Sequence, residues 1–196
     1  MISEAQLKSF EVHGFAVIHG FVDEQTVASI QEEMNVLREE GKFRPAAVGK
    51  GSNQAVISSE RGDVILWIDP DTTRDAIRDY LQRMDELRGA LNRHFYFGLE
   101  KFECHFAEYP VGTHYARHSD RHKTGSTRRV STVLYLNRNW KEEDGGQLVL
   151  YPSTGPPAPV QPMEGTLAIF LSEMEHEVKA THRARRSITG WMHHRL

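Results

Sequence analysis

"FECHFAEY", residues 102–109, is where the chain changes character. From here on, short segments rich in β-branched and aromatic residues are separated by Gly, Pro and Asp: "RVSTVLYLN" (129–137), "GQLVLYP" (146–152), "GTLAIFL" (165–171) and "RSITGWMHH" (186–194). Before it, apolar residues recur at helical spacing. "SEAQLKSFEV" (3–12) reads as a helix capped by Ser3 and ended by Gly14, and "FAVIHGFV" (15–22) as a strand. Asp23 caps a second helix to about Glu40, with Val27, Ile30, Met34 and Leu37 as its buried stripe. Asp71 or Thr72 caps a third, whose stripe runs Ile77, Leu81, Met84, Leu87, Leu91 and Phe95. Helices followed by strands predict an α+β chain whose second half is a sandwich or barrel. The proline-rich "STGPPAPVQP" (153–162) reads as a stiff inter-strand loop, and the polar stretch 41–63 as a mobile loop with room for one short strand.

Bulk properties narrow the function classes. The 196 residues suit a single domain, with helical support over about 1–100 and a β core over about 101–196. A net charge of −3 supplies no global field for nucleic acid or anionic membrane. The basic run "RHKTGSTRR" (121–129) lacks interleaved aromatics and reads as a solvated loop rather than a nucleic-acid contact, the demethylase reading included. One cysteine, Cys104, and a start without basic or apolar leader regions predict a cytoplasmic chain without a signal peptide. No apolar run is long enough to span a bilayer.

Eleven histidines are the compositional oddity. In an extended "HSD", His118 and Asp120 project from one face, because strand side chains alternate. An imidazole and a carboxylate so placed can take two adjacent positions on a metal. His176, delivered by the apolar "GTLAIFL", is the best third ligand, with His105, His114, His122, His182, His193 and His194 as alternatives. Two histidines and one carboxylate leave the opposite side of a metal open, as non-haem Fe(II) oxygenases require. In "RRSITGW" (185–191), Arg185, Ser187, Thr189 and Trp191 share one face and Arg186, Ile188 and Met192 the other. A guanidinium beside hydroxyls grips a carboxylate, so Arg185 rather than Arg186 is the candidate co-substrate anchor.

"HSD", then "HEV", then an arginine nine positions on resembles the 2-oxoglutarate/Fe(II)-dependent dioxygenases, and more finely the prolyl hydroxylases that modify hypoxia-inducible factor and their bacterial prolyl 4-hydroxylase relatives. "RGDVILWI" (61–68), "YPVGTHYARHSD" (109–120), "VSTVLYLNRNW" (130–140), "GGQLVLYP" (145–152) and "HEVKATHRARRSITGW" (176–191) carry the resemblance in order over most of the chain. It implies a double-stranded β-helix of the jelly-roll or cupin kind with N-terminal helices. It assigns His118, Asp120 and His176 to iron and Arg185 to the distal carboxylate of 2-oxoglutarate, joined by Tyr135, with Thr189, Leu148 and Tyr109 lining the same pocket. Trp191 and Trp67 fall on the substrate side, with Arg128 as a rim contact to Asp63. The spacer after Tyr109 is one residue shorter than the family pattern.

The implied reaction is prolyl 4-hydroxylation of a protein with Fe(II), 2-oxoglutarate and O2, releasing succinate and CO2, with ascorbate as a stimulant. The implied partner is a protein carrying a proline in a flexible segment, and family analogy suggests a translation factor such as elongation factor Tu. The loop 41–63 is the expected substrate lid. Two other readings share the same residues: an oxygenase of a free amino acid or other small molecule, and a non-catalytic binding protein that senses oxygen or 2-oxoglutarate.

Overall fold

Local signals set the helices of the protein, whose computed structural model describes residues 2–46, 60–72, 74–121 and 125–195. Helix α1 (Glu4–His13) begins at Ser3, whose hydroxyl accepts from the Gln6 amide while the Gln6 side chain accepts from the Ser3 N–H. It ends at Gly14, whose φ of 75° lies where a side chain is strained. Helix α2 (Glu24–Glu39) is capped by Asp23 and buries Val27, Ile30, Met34 and Leu37, as the spacing predicts. Helix α3 (Asp75–Phe95) starts later than Asp71 or Thr72. Asp69 accepts from the Asp71 amide and Thr72 from the Arg74 amide, so these side chains form turns ahead of the helix instead of capping it. Its buried stripe includes Tyr80, while Leu81 and Phe95 pack at the margin.

The described residues form eleven strands, arranged in two sheets. Strands β1 (Phe15–Ile18), β2 (Arg44–Pro45), β3 (Val64–Trp67), β4 (Leu99–Tyr109), β6 (Arg128–Tyr135), β9 (Leu167–Leu171) and β11 (Arg185–His194) form a seven-stranded sheet in the order β1-β9-β6-β11-β4-β3-β2. Strands β5 (Tyr115–His118), β7 (Leu148–Tyr151), β8 (Ala158–Val160) and β10 (Glu175–Val178) form a four-stranded sheet in the order β5-β10-β7-β8. All pairings are antiparallel. This is the expected α+β, double-stranded β-helix architecture.

Three strands from before residue 100 complete the larger sheet, so the N-terminal segment supplies more than helices. The proline-rich connection is also more than a loop: Ala158–Val160 pairs with β7 at the edge of the smaller sheet. Pro159 is tolerated there because an edge strand can spare a donor. The helices pack on one face of the larger sheet around Ile30, Met34, Met84, Phe106, Leu134 and Ile188. A second apolar cluster, including Val133, Tyr135, Leu148 and Phe170, fills the space between the two sheets. The expected lid falls largely on 47–59, outside the described residues. The same holds for His122.

Candidate metal centre and co-substrate pocket

Strand register brings three ligands together. His176 on β10 lies directly opposite His118 on β5, and their rings are 4.2 Å apart. Strand β5 ends at His118, so Asp120 comes from the following bend rather than from a continued strand, yet it meets the same point. His118 Nε2 is 3.8 Å from Asp120 Oδ1, and His176 Nε2 is 3.6 Å from Asp120 Oδ2. All three ligand atoms fall within 4.8 Å of one another, and among the described residues no other group of three metal-binding side chains converges.

Backbone carbonyls select the tautomers. His118 Nδ1 donates to Ala116 O at 2.8 Å and His176 Nδ1 to Met174 O at 3.0 Å. Each Nε2 lone pair is thereby turned to the common point, the state a metal needs. Burial lowers the His118 pKa to about 4, the neighbouring His176 adds to this, and Asp120 opposes it. Burial pushes the Asp120 carboxyl up, but His176, His118 and the Ser131 hydroxyl outweigh it and hold the pKa below the ordinary value. Ser131 Oγ donates to Asp120 Oδ2 at 2.7 Å. A preorganised carboxylate and two imidazoles held by their Nδ1 hydrogen bonds fit Fe(II).

Arg185 completes the cavity. Its side chain is 1% exposed, yet no carboxylate pairs with it among the described residues. Nε donates to Gly146 O at 2.9 Å, and the guanidinium lies 4.9 Å and 5.1 Å from the centres of the Tyr109 and Tyr135 rings. Gly146 has a φ of 65°, and a Cβ there would stand 3.1 Å from Arg185 Cδ, so glycine keeps the arginine seated. The buried Tyr135 hydroxyl has no hydrogen-bond partner among the described residues, and burial against the opposing pull of Arg185 raises its pKa to about 12. A buried cation without a counter-charge beside an unpartnered hydroxyl is a receptor for an anion such as a carboxylate. The strand-parity reading of the arginines holds: Arg186 leaves the site and bonds Glu108 and Asn35.

One cavity of about 520 Å³ joins the two halves; His118, Asp120, His176, Arg185, Thr189 and Leu148 are among the side chains that line it. Tyr109 also lines it, opposite Arg185 in the β4–β11 register, so the shorter spacer does not displace it. Trp191 and Trp67 stand at its other end, Trp67 half exposed. The rim contact differs from expectation. Arg61 takes both oxygens of buried Asp63 at 2.6 Å and 2.9 Å, whereas Arg128 bonds Glu103 at 3.0 Å and lies 3.6 Å over Trp191. On β4, Glu103 stands opposite Trp191, and on β6, across β11, Arg128 stands opposite His193, which puts the two within reach of each other.

Two contributors escape the sequence reading. Tyr115 stacks on His118 with 3.6 Å between ring centres, and Arg61 caps the stack at 4.7 Å from the Tyr115 ring. "RGD" and "THYARH" hold the only signal for them, and it becomes legible once Arg61 and Tyr115 are known to bridge. Among the alternative ligands, His105 is buried between Trp67 and Trp191 and His193 pairs with Glu103, so neither joins the cluster.

Comparison with known proteins agrees with this geometry. Residues 104–193 match the family model of the 2OG-Fe(II) oxygenase superfamily. The crystal structure of a Pseudomonas putida prolyl-4-hydroxylase superposes with a TM-score of 0.88 at 39% identity, covering 98% of each chain. A Trichoplax adhaerens prolyl hydroxylase, solved with a peptide fragment of the hypoxia-inducible factor oxygen degradation domain, superposes at 0.85 with 28% identity, covering 96% of this chain and 87% of that one. Egl nine homolog 1 from Homo sapiens is 32% identical over 191 residues, 91% of this chain; the chain spans only 43% of that relative's length. With 39% identity to a prolyl-4-hydroxylase over 98% of both chains, the chain belongs to the prolyl hydroxylases of the 2OG-Fe(II) oxygenase superfamily.

Proposed function

We propose that the protein is a prolyl 4-hydroxylase acting on a proline within a protein, built as one oxygenase domain over residues 1–196, with His118, Asp120 and His176 holding Fe(II) and Arg185 the distal carboxylate of 2-oxoglutarate. The observation that carries this reading is the convergence of those three ligand atoms in the same cavity as a fully buried arginine that lacks a counter-charge. When bound, Fe(II) with 2-oxoglutarate and O2 supplies an oxidative decarboxylation that ends in succinate, CO2 and a hydroxylated C–H bond.

The residues of the chain do the rest. The Ala116 and Met174 carbonyls orient the imidazoles, and Ser131 orients the carboxylate. Arg185, with the Tyr135 ring packed against its guanidinium, binds the far end of the co-substrate, and Thr189 and Leu148 lie along its length. Val133, Phe170 and Val178 exclude water around it. Trp67 and Trp191, tilted 43° to each other with ring centres 6.0 Å apart, offer an aromatic wall for a proline ring, with Arg128 over the Trp191 ring. Asp63, buried and bonded to Arg61, acts on the substrate side by holding Arg61 rather than by touching substrate.

The Trichoplax relative binds a peptide, which supports a flexible protein segment as substrate. Elongation factor Tu remains the translation-factor candidate by family analogy, ascorbate the expected stimulant and the cytoplasm the expected site of action. No helix among the described residues is long and apolar enough to cross a membrane.

The test is succinate formation from 2-oxoglutarate by the iron-loaded protein, with mass spectrometry of a host lysate for proline oxidation. Succinate with a hydroxylated proline supports the reading. Succinate without a modified protein moves the assignment to a small-molecule oxygenase. Bound iron without any succinate moves it to a sensor.

A further inference from the structure

The cavity contains one imidazole that the reading above leaves without work. His105 is 1% exposed and lines the cavity beyond the metal cluster. The strand register sets its place: Trp67 on β3 pairs with His105 on β4, His105 with Thr189 on β11, and Thr189 with Val133 on β6. This row runs across the strands from Trp67 to Val133, and in it His105 stands between Trp67 and Thr189. Its ring meets Trp67 edge-on at 5.1 Å and Trp191 at 5.4 Å.

His105 Nδ1 lies 3.1 Å from the Phe106 carbonyl, so Nδ1 carries the proton and Nε2 presents a lone pair. Burial lowers its pKa to about 4, with Arg61 adding to this and Asp63 opposing, which keeps the ring neutral at physiological pH. The charged side chains that act on it are Arg61, Asp63 and Arg128, and Asp63 is already held by Arg61. An acceptor set in an aromatic wall among cations selects for an N–H or O–H on whatever lies against that wall.

Resting on the prolyl hydroxylase reading, we propose that His105 is a substrate-specificity residue whose Nε2 accepts a hydrogen bond from the backbone N–H of the residue following the target proline. A peptidyl proline has no N–H of its own, and the following amide is the backbone donor fewest bonds from ring carbon C4. The substrate class is therefore proline followed by any residue that keeps its amide hydrogen. Pro-Pro sequences with the first proline as target are excluded.

The experiment measures succinate formation by the iron-loaded protein with two synthetic peptides, a Pro-Ala repeat and the same repeat with methylated alanine nitrogens. Methylation should lower kcat/KM for the wild type by about tenfold, the ratio expected for one lost hydrogen bond. The ratio should shrink to within about threefold in His105→Phe, which keeps the aromatic wall, and return in His105→Gln, whose amide oxygen accepts. Equal use of the two peptides by the wild type, no use of either included, overturns the proposal. So does an unchanged ratio in a His105→Phe variant that unfolds at the wild-type temperature. If that variant does not fold, His105→Gln and His105→Met decide, since only the former keeps the ratio. Host lysate that stimulates succinate when the peptides do not would sink this inference and leave the hydroxylase reading standing; no succinate with lysate sinks the hydroxylase reading itself.

Discussion

Arg185 and Arg186 are chain neighbours with opposite employment, and replacing each by Met should separate ligand binding from stability. Arg186 bonds Glu108 at 2.8 Å and Asn35 at 2.7 Å, and Glu108 is 3% exposed. Removing one partner of a buried pair costs about 3–5 kcal/mol when the other is left alone. Arg38 also reaches Glu108, so roughly half of that, about 2 kcal/mol, is expected for Arg186→Met. For a chain of this size that lowers the unfolding midpoint by about 4–8 °C.

Arg185→Met removes a charged hydrogen bond to Gly146 O, about 1.5–3 kcal/mol, and two weak ring contacts. It also removes the desolvation cost of a buried cation with no carboxylate, a penalty of several kcal/mol. The opposed effects leave its ligand-free stability within about 1 kcal/mol of wild type. The assay is thermal unfolding of metal-loaded protein without oxygen, with and without 2-oxoglutarate at about a hundred times its Kd. Wild type and Arg186→Met should gain about 2.7 kcal/mol, or about 5–10 °C, and Arg185→Met nothing. An Arg185→Met protein less stable than Arg186→Met, or one still stabilised by 2-oxoglutarate, would refute the reasoning.

Other consequences follow from single contacts. Ser131→Ala frees Asp120 from its hydroxyl donor and should weaken Fe(II) binding about 10–100-fold in a chelator competition, with little change in fold. Asp120→Ala should abolish turnover altogether; turnover above an iron-free control would remove Asp120 from the ligand set. In the metal-free protein, His105 and His118 both have pKa values lowered to about 4 from 6.5, so the unfolded chain binds protons there that the folded one refuses. Stability should therefore be full above about pH 6.5 and fall as the pH drops towards 4, and His105→Phe should flatten part of that slope in urea titrations. Gly190→Ala places a Cβ 2.6 Å from the Phe102 ring beneath β11, and should cost about 1–3 kcal/mol by overpacking; an unchanged midpoint would show that Phe102 yields freely.

What could be read from the chain depended on how far apart the interacting residues lie. Ser3, Gly14 and Asp23 act on amides within a few residues, so both early helix boundaries were legible. The start of α3 was not, because Asp69 and Thr72 bond amides of a preceding turn, a competition that the same residue types cannot reveal. Alternation within β11 separated Arg185 from Arg186 because one strand decides it. The third ligand could not be chosen by residue type among so many histidines. It is His176 because β10 pairs with β5 in the register that sets it against His118. The misplaced contact between Arg128 and Asp63 failed for the same reason: it needed the relative positions of β3, β4, β6 and β11, where Arg61 had already claimed Asp63 and Glu103 had claimed Arg128. His105 shows the same limit from the other side. Its residue type made it a candidate metal ligand, whereas its register with Trp67 and Thr189 places it beside the substrate wall. In this fold, chemistry-bearing residue types are visible along the chain, but the work each does is assigned by cross-strand register, so a histidine's role changes with its row.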